Sequence, residues 1–286
     1  METTSPASAT AGRRIRTRTA GHTHGPITRL MSPGDLGQLL KPFVFLDRFE
    51  LPEGVAMPEM PTHPHSGIST HTTLLEGSLA YVDSTGKSGV LPPQSVEYMQ
   101  AGGGVWHGGR PVGTGRMRGF QLWLALPPEL ELTPAESHYV DPAQIPSDGR
   151  VRVLLGSYAG VRSVVPSPWP ATYLHVTLRD GEAWRYTPAP DHEIAWLAPS
   201  YGAVRVDGVE LRRELAVFED GHAPIDLVAV GDTELVIASG KRHPHALVTG
   251  MYSVHTSAEA LALGEAGYRR LAAEARRAEG ARRQAG

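Results

Sequence analysis

Residues 63–109 read HPHSGISTHTTLLEGSLAYVDSTGKSGVLPPQSVEYMQAGGGVWHGG, and the alternation of β-rich runs with turn residues in this stretch decides the fold class. Residues 68–75 are rich in β-formers, Glu76-Gly77 turns the chain, residues 79–82 form a second run, and Asp83-Ser84-Thr85-Gly86 turns it again. Pro92-Pro93 precedes a third strand over 95–100, and Gly102-Gly103-Gly104 imposes a loop before Val105-Trp106-His107. Strands at this spacing predict a sandwich or barrel. The same rhythm extends outward, to apolar strands at 42–46 and 120–126. Beyond a Pro- and Glu-rich connector over 127–168, which contains a short strand at 151–155, a second block places strands at 173–178, 194–198, 203–206, 214–218, 227–230 and 234–238. Two β-sandwich domains of similar design follow from this repetition.

Composition agrees with an all-β chain. Among 286 residues there are 32 glycines and 24 prolines, which excludes a helical bundle or coiled coil. One helix is expected, opened by the capping-box pattern Thr256-Ser257-Ala258-Glu259 and running towards residue 280. No apolar run approaches the roughly 18 residues of a membrane span. Lys and Arg number 27 against 30 Asp and Glu, a net charge of −3 that gives no field for direct nucleic-acid or membrane binding. Arg13-Arg14 is followed by no hydrophobic stretch, so export is not expected and a cytoplasmic location is. Residues 1–18, rich in Thr, Ser, Ala and Arg, read as a disordered tail. With no cysteine, any metal must rest on nitrogen and oxygen ligands.

Histidine is the unusual count. Thirteen are present, and chance at that frequency gives about 0.6 His-x-His pairs; the chain has three, His22/His24, His63/His65 and His243/His245. Residues i and i+2 of a strand project to one face, so each pair can aim two imidazoles at one ion. His63 and His65 open the regular β-run and His107 follows after three strands, so hairpin folding can bring all three to one mouth. Three neutral nitrogens suit Fe(II), Ni, Cu, Zn or Mn.

Residues 63–109 resemble the metal-binding signature of the pirin family, bicupins of the cupin superfamily. KPFVFLDRF at 41–49, FQLWLALP at 120–127 and GMYSVHTS at 250–257 extend the resemblance. It implies two stacked cupin-type β-sandwich (jelly-roll) domains with a C-terminal helix: an N-terminal metal-binding cupin over 19–135, a second cupin without metal over 136–256, and a helix and tail over 257–286. It also implies one divalent transition metal, Fe(II) first, held by three histidines that match His63, His65 and His107 and by a glutamate whose position falls on Gly109. A second family glutamate falls on Ser69. The implied activity is quercetin 2,3-dioxygenase chemistry on a flavonol or related phenol. The alternatives are a metal- or redox-sensing regulator with a protein partner, or a degenerate cupin that binds no metal.

The substituted carboxylates direct attention to neighbours. His71 shares the sequence parity of His63 and His65 and is a candidate fourth ligand if the strand is unbroken. Trp106, beside His107, is a candidate pocket wall. Glu97 alternates with Val96 and Tyr98, so if these face the core, Glu97 is expected outside, and Glu76 is expected solvated in its turn.

Overall fold

The computed structural model describes residues 12–55 and 60–285. In chain order the first strands are β1 (Ile15–Thr19), β2 (His22–His24), β3 (Ile27–Met31), β4 (Phe43–Leu51), β5 (Met60–His65) and β6 (Ile68–Glu76), with a short helix α1 (Leu36–Leu40) before β4. Next come β7 (Ser78–Asp83), β8 (Ser88–Leu91), β9 (Val96–Gln100), β10 (Val105–Val112), β11 (Met117–Ala125) and β12 (Glu136–Val140). The second half holds β13 (Val151–Leu155), β14 (Ser157–Tyr158), β15 (Val161–Arg162), β16 (Ala171–Leu178), β17 (Ala183–Tyr186) and β18 (Ile194–Val206). It ends with β19 (Val209–Leu211), β20 (Leu215–Phe218), β21 (Ile225–Gly240), β22 (Val248–Thr249), β23 (Val254–His255) and the helix α2 (Ala258–Ala285).

Three large sheets organise most of these strands, and β14 with β15 and β22 with β23 form two-stranded ribbons. A seven-stranded sheet in the order β12-β9-β6-β11-β4-β3-β2 faces a four-stranded sheet, β5-β10-β7-β8, to make the first sandwich. An eight-stranded sheet is built on β1-β20-β18-β21-β16-β13, with β17 and β19 pairing the long strands β21 and β18. All strand pairs named here are antiparallel, as hairpin connections require. The fold is the all-β, two-sandwich arrangement that the turn rhythm predicts. Among the described residues no helix is long and apolar enough to cross a membrane.

One core cluster joins the two halves. Phe43, Leu46, Tyr98, Phe120, Leu122 and Leu124 of the seven-stranded sheet pack with Tyr173, Trp196, Val217, Val236 and Ala238 of the eight-stranded one. The opposite face of the seven-stranded sheet carries Phe45, Met99 and Trp123, inside the first sandwich. This sheet therefore has no wet face, and the first eight residues of β6 are all buried. The interior of the second half is apolar, with Leu174, Val176, Trp184, Tyr186, Leu197 and Phe218 among its side chains.

Two local expectations change. Residues 15–18, assigned to a disordered tail, belong to β1, which pairs with β20. The buried Arg13 fastens this strand by donating from Nε to the Glu219 carbonyl at 2.6 Å and from Nη2 to that of Glu193. Residues 1–11 of the expected tail lie outside the described residues. At the other end, the residue capping α2 is Ser257, whose Oγ accepts from Ala260 N at 3.1 Å. Thr256 instead gives its amide and hydroxyl to Glu131.

Candidate metal centre

β5 and β10 are antiparallel neighbours in a register that sets His63 opposite His107 and His65 opposite Val105. Alternation then turns all three imidazoles to the inner side of the four-stranded sheet. Their ligand atoms lie within 4.8 Å of one another, the one group of this kind found among the described residues.

Each ring is tied by its other nitrogen. His63 Nδ1 is 3.1 Å from Pro61 O, His65 Nδ1 is 3.0 Å from Tyr252 O, and His107 Nδ1 is 3.0 Å from Glu97 Oε1. A carbonyl or carboxylate oxygen only accepts, so each Nδ1 carries the proton and each Nε2 presents a lone pair. His63 Nε2 and His107 Nε2 are 3.1 Å apart. Two lone pairs that close, with no proton between them, repel unless a cation sits against both. Nitrogens each about 2.1 Å from one ion and at right angles would be about 3.0 Å apart. Burial pushes His63 down to about 4 and holds His65 well below the ordinary imidazole range. Both are therefore neutral near pH 7, the form that binds metal.

The centre opens on a cavity of about 390 Å³ lined by Phe45, Phe49, Leu79, Met117 and Trp123, with Met251 and Tyr252 at its mouth. That is in the size range of small-molecule pockets, roughly 300–1,000 Å³. Phe45 and Trp123 stack, with centroids 3.9 Å apart and planes 9° from parallel, and the Trp123 ring meets the His65 ring edge-on at 4.9 Å. On the floor, Thr72 Oγ1 lies 3.0 Å from Glu97 Oε2 and 2.7 Å from the Gln121 amide oxygen. One hydroxyl proton serves one acceptor, and Glu97 is the ionised one. The amide orientation that frees the Thr72 hydroxyl proton for Glu97 therefore turns Gln121 Nε2 towards Thr72 Oγ1.

Several expectations are corrected by this geometry. His71 is not a ligand: positive φ at Gly67 breaks the strand between β5 and β6, so sequence parity does not carry across. Its ring faces the eight-stranded sheet, with Nε2 donating to Leu154 O at 3.2 Å and Tyr173 packed edge-on at 5.1 Å. Ser69, on the same face and opposite Leu124, also points away from the three histidines. Trp106 is no pocket wall; its indole donates to Tyr268 O of α2 at 2.7 Å. Glu97, expected outside, is 4% exposed and lines the cavity, because the second face of its sheet is the sandwich interior and not solvent.

The remaining candidates separate from the site. Glu76 pairs with Arg118 at 2.8 Å, His22 and His24 are exposed on the edge strand β2, and His243 is buried with Nε2 3.2 Å from Leu126 O. Gly109 does line the cavity. Tyr252 carried no local signal in the sequence: it reaches His65 on a strap, residues 248–255, that returns from the second half of the chain.

A family profile, Pirin, matches residues 25–124. A pirin-like protein of Caulobacter vibrioides is 35% identical over 204 residues, covering 66% of this chain and 69% of its own. This chain belongs to the pirin family. Its fold is shared by a crystal structure of quercetin 2,3-dioxygenase from Acinetobacter baumannii, with a TM-score of 0.82, 23% identity and coverage of 91% of this chain and 98% of that one. It is shared too by the Escherichia coli bacterial pirin YhhW in complex with nickel(II), with a TM-score of 0.62, 18% identity and coverage of 81% and 98%. Within this pirin-family chain, the histidines of the resemblance and the Nε2 cluster are the same three residues.

Proposed function

We propose that this pirin-family chain is a metal-dependent oxygenase of the quercetin 2,3-dioxygenase type, acting on a flavonol or a related enolic phenol. The observation that carries the proposal is the set of three tied imidazoles whose free nitrogens meet at the floor of an aromatic-walled cavity. A divalent transition metal held by His63, His65 and His107, Fe(II) first, would supply Lewis acidity and redox access to dioxygen. The chain supplies placement and exclusion of water. The Phe45–Trp123 pair offers a flat wall to a planar ring, and Leu79 and Met117 add apolar lining.

The test loads the full chain with Fe(II), Ni(II) or Cu(II) and follows oxygen uptake and carbon monoxide release with quercetin. The expected outcome is turnover with at least one metal, abolished by His63→Ala. Metal bound at one per chain with no turnover in any of the three forms would overturn the activity and leave the metal centre standing.

A further inference from the structure

We infer that Glu97 is the anionic partner of the metal centre, a positioning residue that acts through His107 and is not itself a ligand; the inference rests on the metal centre proposed above.

Charge sets Glu97 apart from the groups behind the other two histidines. Three neutral imidazoles bring no negative charge to a divalent ion, and His63 and His65 are backed only by the neutral carbonyls of Pro61 and Tyr252. Among the described residues, Glu97 is the one carboxylate hydrogen-bonded to any of the three. Both of its oxygens accept, Oε1 from His107 Nδ1 and Oε2 from Thr72 Oγ1, so it carries no proton of its own. It stays an anion in the interior with neither lysine nor arginine among its hydrogen-bonding partners. A buried anion without a cationic partner is strongly unfavourable. The ion on the far side of the His107 ring is the charge that offsets it, and a carboxylate behind a ligating imidazole in turn makes that imidazole a stronger donor.

Strand register fixes where the two oxygens of Glu97 point. Glu97 on β9 is directly opposite Thr72 on β6, and Thr72 is directly opposite Gln121 on β11. The row continues to Asp47 on β4 and Arg29 on β3. Gln121 and Thr72 therefore hold Glu97 Oε2 while His107 takes Oε1. Both oxygens are engaged, which fixes the carboxylate behind His107 and keeps it out of the ligand shell. The same bond fixes the proton on Nδ1 and leaves Nε2 free.

The experiment compares wild type, Glu97→Gln, Glu97→Ala, Thr72→Val and His63→Ala as full chains. Nickel(II) affinity is read by chelator competition, the His107 tautomer by nitrogen-15 NMR of metal-free protein, and folding by thermal midpoint. Glu97→Gln, which keeps the acceptor and removes the charge, should lower nickel affinity about 10- to 100-fold with the His107 tautomer and the metal-free midpoint unchanged. Glu97→Ala should lower affinity further and release the tautomer. Thr72→Val should give a smaller loss in the same direction, and keeps the test alive if Glu97→Ala does not fold. Nickel bound by wild type, lost in His63→Ala and unchanged in Glu97→Gln and Thr72→Val would overturn the role of Glu97 alone. Wild type binding no better than His63→Ala would overturn the metal centre and, with it, this inference.

Discussion

A Cβ added to Gly109 would stand 3.2 Å from three atoms of the Leu79 side chain, a contact that a small shift of a flexible leucine relieves. Gly109 lines the cavity two residues after His107, without the positive φ that would forbid a side chain. Gly109→Glu should therefore fold and tighten nickel binding by placing a carboxylate beside the three imidazoles, and it should recover most of the affinity lost in Glu97→Gln. Chelator competition checks both, and a weaker site in the single variant would show that the glutamate cannot reach the ion. The three histidines were legible from sequence because i, i+2 parity holds within β5 and spacing alone limits where β10 can return. Parity misled at His71, where Gly67 resets it, and at Glu97, where alternation gave the right face but not what covers that face.

At the scale of elements, two contacts set how firmly the site is held. The strap is pinned by Glu131, which accepts from His255 Nδ1 at 3.2 Å, from Thr256 N at 2.7 Å and from Thr256 Oγ1 at 2.6 Å. His255 Nε2 lies 3.0 Å from Ser66 Oγ, next to His65. Glu131→Ala leaves three donors unpaired, a cost of roughly 1–3 kcal/mol each where no water reaches them. Amide exchange over 250–255 should accelerate and metal affinity should fall through the lost Tyr252–His65 contact; unchanged exchange would mean that the strap is held by its apolar packing. The second contact is β6 against the eight-stranded sheet. Burial pushes His71 down to about 4 despite its bond to Leu154 O, and burial with Arg152 and Arg118 pushes His175 down to about 3. The unfolded chain takes up these protons near pH 6.5, so their contribution is present above pH 6.5 and is lost as pH falls towards 4 and 3, on the order of 3 kcal/mol for His71 and 5 kcal/mol for His175. The thermal midpoint should drop over this window, and His71→Gln should make the drop shallower.

For the whole molecule, sequence reading found the β class, the turn rhythm and the paired sandwiches, since these follow from local residue choice. It could not find that the facing sheets share a core, because both faces of β6 and most of β11 are buried, His71, Thr72 and Arg118 among them, and nothing local distinguishes cavity from interface. Nor could it place β1 in the second half's sheet, since that pairing joins residues some 200 apart. The shared core has a consequence for unfolding. Trp196 is fully buried where the halves meet, edge-on to Phe43 at 5.7 Å and 5.9 Å from Tyr173. Trp196→Ala removes a side chain on which both sheets pack, a loss of about 3–5 kcal/mol. If the interface makes the halves one cooperative unit, calorimetry of this variant should show a single transition at lower temperature, and bound metal should be released at the same midpoint although Trp196 lies outside the metal cavity. Two separated transitions, with metal release following only the later one, would show instead that the first sandwich keeps its site without its neighbour.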